Sequence, residues 1–153
     1  MKIGIISDTH NLLRPEALTA LQGSHHILHA GDIGDLSILR TLERIAPVTA
    51  IRGNTDTHGP ASQLPHTEAV ELGGHLFYLI HDIHNLDLNP AAAKFSAVIY
   101  GHSHTPTITH HKGVLYLNPG SAGPRRFTLP ISIAHIEIRD NQLHPTLQTL
   151  IAD

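Results

Sequence analysis

The sequence predicts an α/β fold in which two stacked β-sheets carry helices on the outside. Three observations predict it. Apolar, β-branched runs (IGIIS, HILHA, VTAIR, FYLI and AVIY) recur along the chain and read as buried strands. Helical periodicity separates the first three, as in βαβ units. Hairpin signals then take over in the second half. At 153 residues the whole chain, 1–153, is expected to form one domain with a real core.

Each element has a local reason. Residues 2–7 form a continuous apolar strand. Residues 15–22 are expected to be helical, with Pro15 early and Gly23 as the stop. A short strand follows at 27–30. Asp35 can cap a helix over 36–45, where Leu36, Leu39, Leu42 and Ile45 fall at helical spacing. Residues 48–52 form a third strand, so the first half implies a parallel sheet with right-handed crossovers. Strands at 68–72 and 75–81 flank Gly73-Gly74, a hairpin signal. Asn89-Pro90 begins a short helix running to about 94, and 97–100 is another strand. Strands at 107–111 and 114–117 flank Lys112-Gly113. Strands at 131–139 and 142–149 flank Asp140-Asn141 and alternate as a half-exposed hairpin does.

Composition narrows the function classes. A formal charge of -3 gives no basic footprint for dedicated nucleic-acid binding. No apolar run approaches the ~18 residues of a membrane span. The N-terminus has no apolar segment with a cleavage site. Cysteine is absent, which excludes disulfides, Cys-zinc sites and a thiol nucleophile. A cytoplasmic protein is expected. Fifteen histidines make single His motifs weak: His-x-His should arise by chance roughly 1.4 times.

The chemistry therefore rests on joint placement. Asp8-Thr9-His10, Gly31-Asp32, Gly53-Asn54, His81 and Gly101-His102-Ser103-His104 each stand where a strand ends. Ligands of open α/β sheets bind beyond the carboxyl ends of strands. Two Asp, one Asn and four His can thus reach one place, a donor set suited to two divalent metals. Residues two apart on an extended chain point the same way, so Asp8 and His10 can face one ion, and His102 and His104 can each hold one of two neighbouring ions. Gly31 allows a close approach or a positive φ. Asp32 can bridge two cations with its two carboxylate oxygens. Asn54 offers a carbonyl oxygen to metal and an amide N–H to a substrate oxygen. Taken singly, Asp8 also reads as an Asx-turn, Asp32 as a strand-to-helix loop, Asn54 as a turn and His81 as a backbone-bonded core histidine.

The ordered set Asp-x-His, Gly-Asp, Gly-Asn, His, Gly-His-x-His resembles the metallophosphoesterase, or calcineurin-like phosphoesterase, superfamily. The short length is similar to its small YfcE-type phosphodiesterase branch. The resemblance runs from Lys2 to about Ser121 and includes Asn118-Pro119-Gly120-Ser121. It implies an αββα sandwich of two mixed sheets and a dinuclear centre. Asp8, His10, Asp32 and His104 would hold one ion; Asp32, Asn54, His81 and His102 the other. Manganese is the first choice, with iron, nickel, cobalt, zinc or magnesium as alternatives. The implied reaction is attack on a phosphodiester by a hydroxide bridging the metals, with Asp32 and Asn54 as catalytic residues. Asn11, Asn54 and Arg125, with Arg126 beside it, are candidate substrate-binding residues. Asn118-Pro119-Gly120-Ser121 is expected to turn the chain beside the site.

Two positions depart from the family pattern. Many relatives carry His after Gly-Asn, able to protonate the leaving group. This chain has Thr55, which implies leaving groups that need little protonation. Relatives often have Gly after the fourth cluster's His; this chain has Asp82. The expected substrate is a small phosphodiester. The rival readings are a phosphomonoesterase or nucleotide pyrophosphatase, and a non-catalytic protein-binding scaffold, since the same fold serves in a retromer subunit. The C-terminal hairpin offers an edge for a homodimer or higher homo-oligomer. Histidines bind metal when deprotonated, so activity is expected to fall below about pH 6, near the unperturbed His pKa.

Overall fold

A computed structural model describes residues 1–151. Ten strands form two five-stranded mixed sheets. The first contains β1 (Lys2–Ile6), β2 (His26–His29), β3 (Val48–Ala50), β9 (Ile131–Arg139) and β10 (Gln142–Ile151), in the order β10-β9-β1-β2-β3. The second contains β4 (Thr67–Leu72), β5 (His75–Ile80), β6 (Ala97–Ile99), β7 (Thr107–His111) and β8 (Val114–Asn118), in the order β4-β5-β6-β8-β7. β1, β2 and β3 run parallel, as the βαβ pattern requires. β5, β6 and β8 are parallel as well, and the three expected hairpins close as antiparallel pairs.

Side-chain alternation sets the layers. Ile3 and Ile5 of β1 face Phe77, Leu79, Ile99 and Leu117 in a core between the sheets. Ile6 faces the other way, into a second core under the two helices. α1 (Pro15–Leu21) begins on Pro15, where a missing N–H costs nothing, and ends before Gly23 at φ 86°. α2 (Ser37–Glu43) is shorter than its periodic stretch. Its N-cap position is Leu36, which makes no side-chain cap, and Asp35 just before it accepts the Ser37 N–H on Oδ1 at 2.8 Å.

The outer layer on the second sheet differs from expectation. Residues 90–94 form turns, not a helix. Ala93 N–H bonds the Asn89 carbonyl, but Phe95 N–H already reaches back five residues to Pro90, and Lys94 is left-handed at φ 64°. One turn therefore forms and stops, since a short helix cannot repay its nucleation. Together with a 3-10 turn at Ile83–Asn85, this segment covers Tyr78, Ile80 and Val98. No helix among the described residues is long and apolar enough to cross a membrane.

Both parallel strand sets aim their carboxyl ends at one edge of the sandwich. There β1, β2, β3, β5 and β6 deliver the five polar clusters. β1 can lie this close to α1 because Gly4 has no side chain. A Cβ there would press on the Leu21 methyl and the Ser24 hydroxyl. Gly4→Ala should therefore lower stability by about 1–3 kcal/mol. Urea denaturation measures it, and unchanged stability would contradict this packing.

Candidate metal centre

The ligand loops leave the sheet in left-handed conformations, not extended ones. Asp8 (φ 57°), His10 (φ 43°), Asp32 (φ 57°), His102 (φ 71°) and His104 (φ 63°) all have positive φ. At these residues, extended-strand alternation therefore does not set the side-chain directions. Such backbones are costly for residues with a Cβ and persist where surrounding bonds enforce them. Here Asp8 N–H bonds the Gly31 carbonyl at 3.0 Å, His10 N–H that of Asp32 at 2.9 Å and Asn11 N–H that of Ile33 at 2.9 Å. The first two ligand loops are stitched side by side. Gly31 fulfils both expected roles, with φ 103° and a missing Cβ that would crowd Gly53 and His81.

The side chains converge. Asp8 Oδ1 lies 3.2 Å from His104 Nε2, 3.7 Å from His10 Nε2 and 3.8 Å from His81 Nε2. Asp32 Oδ2 lies 3.2 Å from His81 Nε2 and 3.6 Å from His10 Nε2. Asp8, His10 and His104 offer donor atoms within 4.8 Å of one another, and so do Asp8, Asp32 and His81. Asn54 and His102 stand beside this set: Asn54 Oδ1 is 3.1 Å from His102 Nδ1, and the His102 ring meets His81 edge-on at 5.3 Å.

The two carboxylates are held differently. Asp32 Oδ1 accepts the Thr55 N–H at 2.9 Å. Oδ2 alone faces the two histidines. Asp8 is the residue common to the two tight groups. Its Oδ2 is taken by the Ser7 hydroxyl at 2.6 Å and the His102 N–H at 3.1 Å, which leaves Oδ1 to all three rings.

These atoms fit a cation. His81 Nδ1 donates to the Ala30 carbonyl at 2.7 Å, so in the neutral ring Nε2 carries a lone pair. That lone pair points at two carboxylates. His81 Nε2 and Asp8 Oδ1 are both buried without a hydrogen-bond partner. Either a proton or a metal must stand between such atoms. A histidine fixed by a carbonyl through its other nitrogen is also the usual arrangement of a metal ligand.

The ionisation pattern agrees. Burial would raise the Asp8 pKa, but the rings of His10 and His104 and the charge of His81 hold it well below the carboxylate range. Burial opposes ionisation of Asp32 too, and His81 and Thr55 overcome it. His10 is raised above 6.5, chiefly by its bond to Asp8. His81 is raised although burial lowers it, because Asp32 and Asp8 face it.

Supporting residues emerge that the sequence reading passed over. His29 is fully buried, and burial pushes its pKa down to about 4. It stays neutral, accepts the Gly31 N–H at Nδ1 and so donates from Nε2 to Thr9 Oγ1, which donates on to the Ile33 carbonyl. Asp56 is buried and accepts three backbone N–H groups, from Ile33, Gly34 and Gly53. The available signal was an Asp three residues after Gly53 in a turn. Asn118 ties Gly101 to Ser103, and Ser121 Oγ donates to the Asp8 carbonyl.

The candidate substrate residues divide. Arg125 donates to the carbonyls of Leu129 and Ile151, holding its own loop to β10. Its neighbour Arg126 reaches the His102 carbonyl at 3.5 Å, and its charge is felt at His10. Asn11 gives its side-chain oxygen to the Asp35 N–H at 3.1 Å, leaving its amide hydrogens free to donate. Thr55 donates its N–H to Asp32 Oδ1 at 2.9 Å. Asp82 is clamped by the His84 N–H and ring, and its Oδ2 lies 3.8 Å from His102 Nε2.

Metal and protons compete here. Because His10 and His81 are raised, affinity for Mn²⁺ should begin to weaken above pH 6.5 as pH falls, a higher onset than the sequence suggests. Calorimetry across pH 6–8 should also record proton release on binding. Affinity independent of pH over that range would contradict the assignment.

Comparison with known proteins supplies the family. The calcineurin-like phosphoesterase superfamily domain matches residues 1–141. A probable metallophosphoesterase of Methanothermobacter thermautotrophicus is 37% identical over 146 residues, covering 85% of this chain and 82% of that protein. A phosphodiesterase of Methanocaldococcus jannaschii is 28% identical over 139 residues, covering 78% and 83%. Among solved structures, Vps29 of Chaetomium thermophilum has a TM-score of 0.77 at 16% identity, over 97% of this chain and 96% of that one. The phosphoesterase YfcE of E. coli has a TM-score of 0.68 at 22% identity, over 98% and 100%. At such identities these two structures establish the fold alone. The sequence match over nearly the whole chain goes further: the protein belongs to the calcineurin-like phosphoesterase superfamily.

Proposed function

We propose that the protein is a metal-dependent phosphodiesterase with a dinuclear centre, acting as a single domain over residues 1–153 in the cytoplasm. Residues 152 and 153 lie outside the described residues. One ion would be held by Asp8, His10, Asp32 and His104, the other by Asp32, Asn54, His81 and His102. The observation that carries this is His81 Nε2, a buried lone pair facing Asp8 and Asp32 without a hydrogen bond. Two divalent ions, manganese first, would supply a water of lowered pKa and offset charge on the phosphoryl group.

The chain's own groups then divide the work. Asp8 and Asp32 fix the negative charge of the site. Thr55 and Ser7 orient those carboxylates, and Ala30 orients His81. The amide hydrogens of Asn54, and those of Asn11, can donate to a phosphoryl oxygen. Arg126 replaces Arg125 as the guanidinium at the rim. With Thr55 where many relatives carry His, no strong acid stands in that position, which supports good leaving groups. A non-catalytic protein-binding scaffold of the same fold is the rival class. Against it, the sequence carries all seven candidate ligands.

The test is hydrolysis of bis(p-nitrophenyl) phosphate by metal-stripped protein, with and without Mn²⁺. Activity should appear only with metal, and Asp32→Ala should reduce it at least a hundredfold. Folded, Mn²⁺-supplied protein without turnover would favour the scaffold.

A further inference from the structure

A cleft opens directly beside the second ligand group. Its volume is about 480 Å³, and Asn54, His81 and His102 line its inner end. That size lies within the roughly 300–1,000 Å³ of small-molecule sites. Tyr78 and Ile80 give it apolar surface, with Tyr78 braced against the Phe95 ring at 5.1 Å. The cleft is therefore built to hold an organic group attached to whatever binds at the centre.

Its walls carry a definite charge. Asp82 and Asp87 both line it. Asp82 does not swing freely, because its Oδ1 is held at 3.0 Å by both the His84 N–H and the His84 ring. Its Oδ2 faces the outer nitrogen of His102 at 3.8 Å, so the negative charge sits at the mouth of the centre. Arg52 also lines it and directs Nη1 to the neutral Ser62 carbonyl at 3.2 Å. An anion entering the cleft meets the two carboxylates against this one guanidinium, while hydroxyl or ammonium donors meet acceptors.

We propose that this cleft receives one ester arm of the phosphodiester and selects an uncharged or cationic, donor-bearing arm against one with a further anion. The proposal rests on the phosphodiesterase reading above. It separates that reading from nucleotide pyrophosphatase activity, whose substrates carry a further phosphate anion next to the scissile bond.

The test uses Mn²⁺-loaded protein turning over bis(p-nitrophenyl) phosphate at low ionic strength, where surface charge is least screened. Three dialkyl phosphodiesters serve as competitive inhibitors: diethyl phosphate, ethyl choline phosphate and ethyl 2-sulfoethyl phosphate. The sulfonate is a weak metal ligand, so its arm reports on the cleft. The sulfonate inhibition constant should exceed the choline one at least fivefold. Asp87→Asn should lower that ratio and Asp82→Asn should lower it further. A ratio near one, or one unchanged in both variants, would overturn the cleft assignment while leaving the phosphodiesterase reading intact. Absence of bis(p-nitrophenyl) phosphate turnover by the wild-type protein would overturn that reading, and the cleft's role with it.

Discussion

Two buried carboxylates facing three imidazole nitrogens are the constraint on which the rest of the structure depends. Asp8 and Asp32 are withdrawn from water, and isolated buried charge is expensive. The surrounding histidines can relieve it only by taking protons or by sharing cations. Asp8 shows the balance most clearly: burial pushes its pKa up, and the neighbouring rings pull it well below the ordinary range. A site of this kind gains most from small, highly charged ions whose nitrogen and oxygen ligands are already in place.

The fold exists, at this edge, to keep those groups from relaxing apart. The ligand loops exchange backbone hydrogen bonds as though the sheet continued past its last strand residues. Asp56 clamps three N–H groups around the second and third loops. Neutral His29 and Thr9 lock the first loop to the second. Gly53 and Gly101 have no side chain where a Cβ would strike Asp32 and Asp8. These contacts hold five ligand residues in left-handed conformations that would otherwise be unfavourable.

The strands were legible because their apolar runs carry a period and turns punctuate them. Each of the ten has its own signature, and the described strands begin and end within a few residues of it. The 90–94 turn was misread because Asn89-Pro90 signals a start equally well for one turn or several. The candidate metal ligands were legible by order along the chain, since Asp, Asn and His at strand ends are chemically conspicuous. Their geometry was not: positive φ at Asp8, His10, His102 and His104 leaves no periodic trace. Arg125 and Arg126 were indistinguishable as neighbours, and only the bonds of Arg125 to Leu129 and Ile151 separate them. His29 and Asp56 act through backbone groups distant in sequence, which no local pattern records.

The most direct measurement is a crystal structure of the protein soaked with Mn²⁺, with anomalous scattering recorded at the manganese edge. The account predicts two anomalous peaks roughly 3.5–4 Å apart, one contacting Asp8, His10 and His104, the other Asn54, His81 and His102, with Asp32 touching both. A folded protein with no bound manganese, or a single ion that leaves His81 Nε2 without a partner, would contradict it.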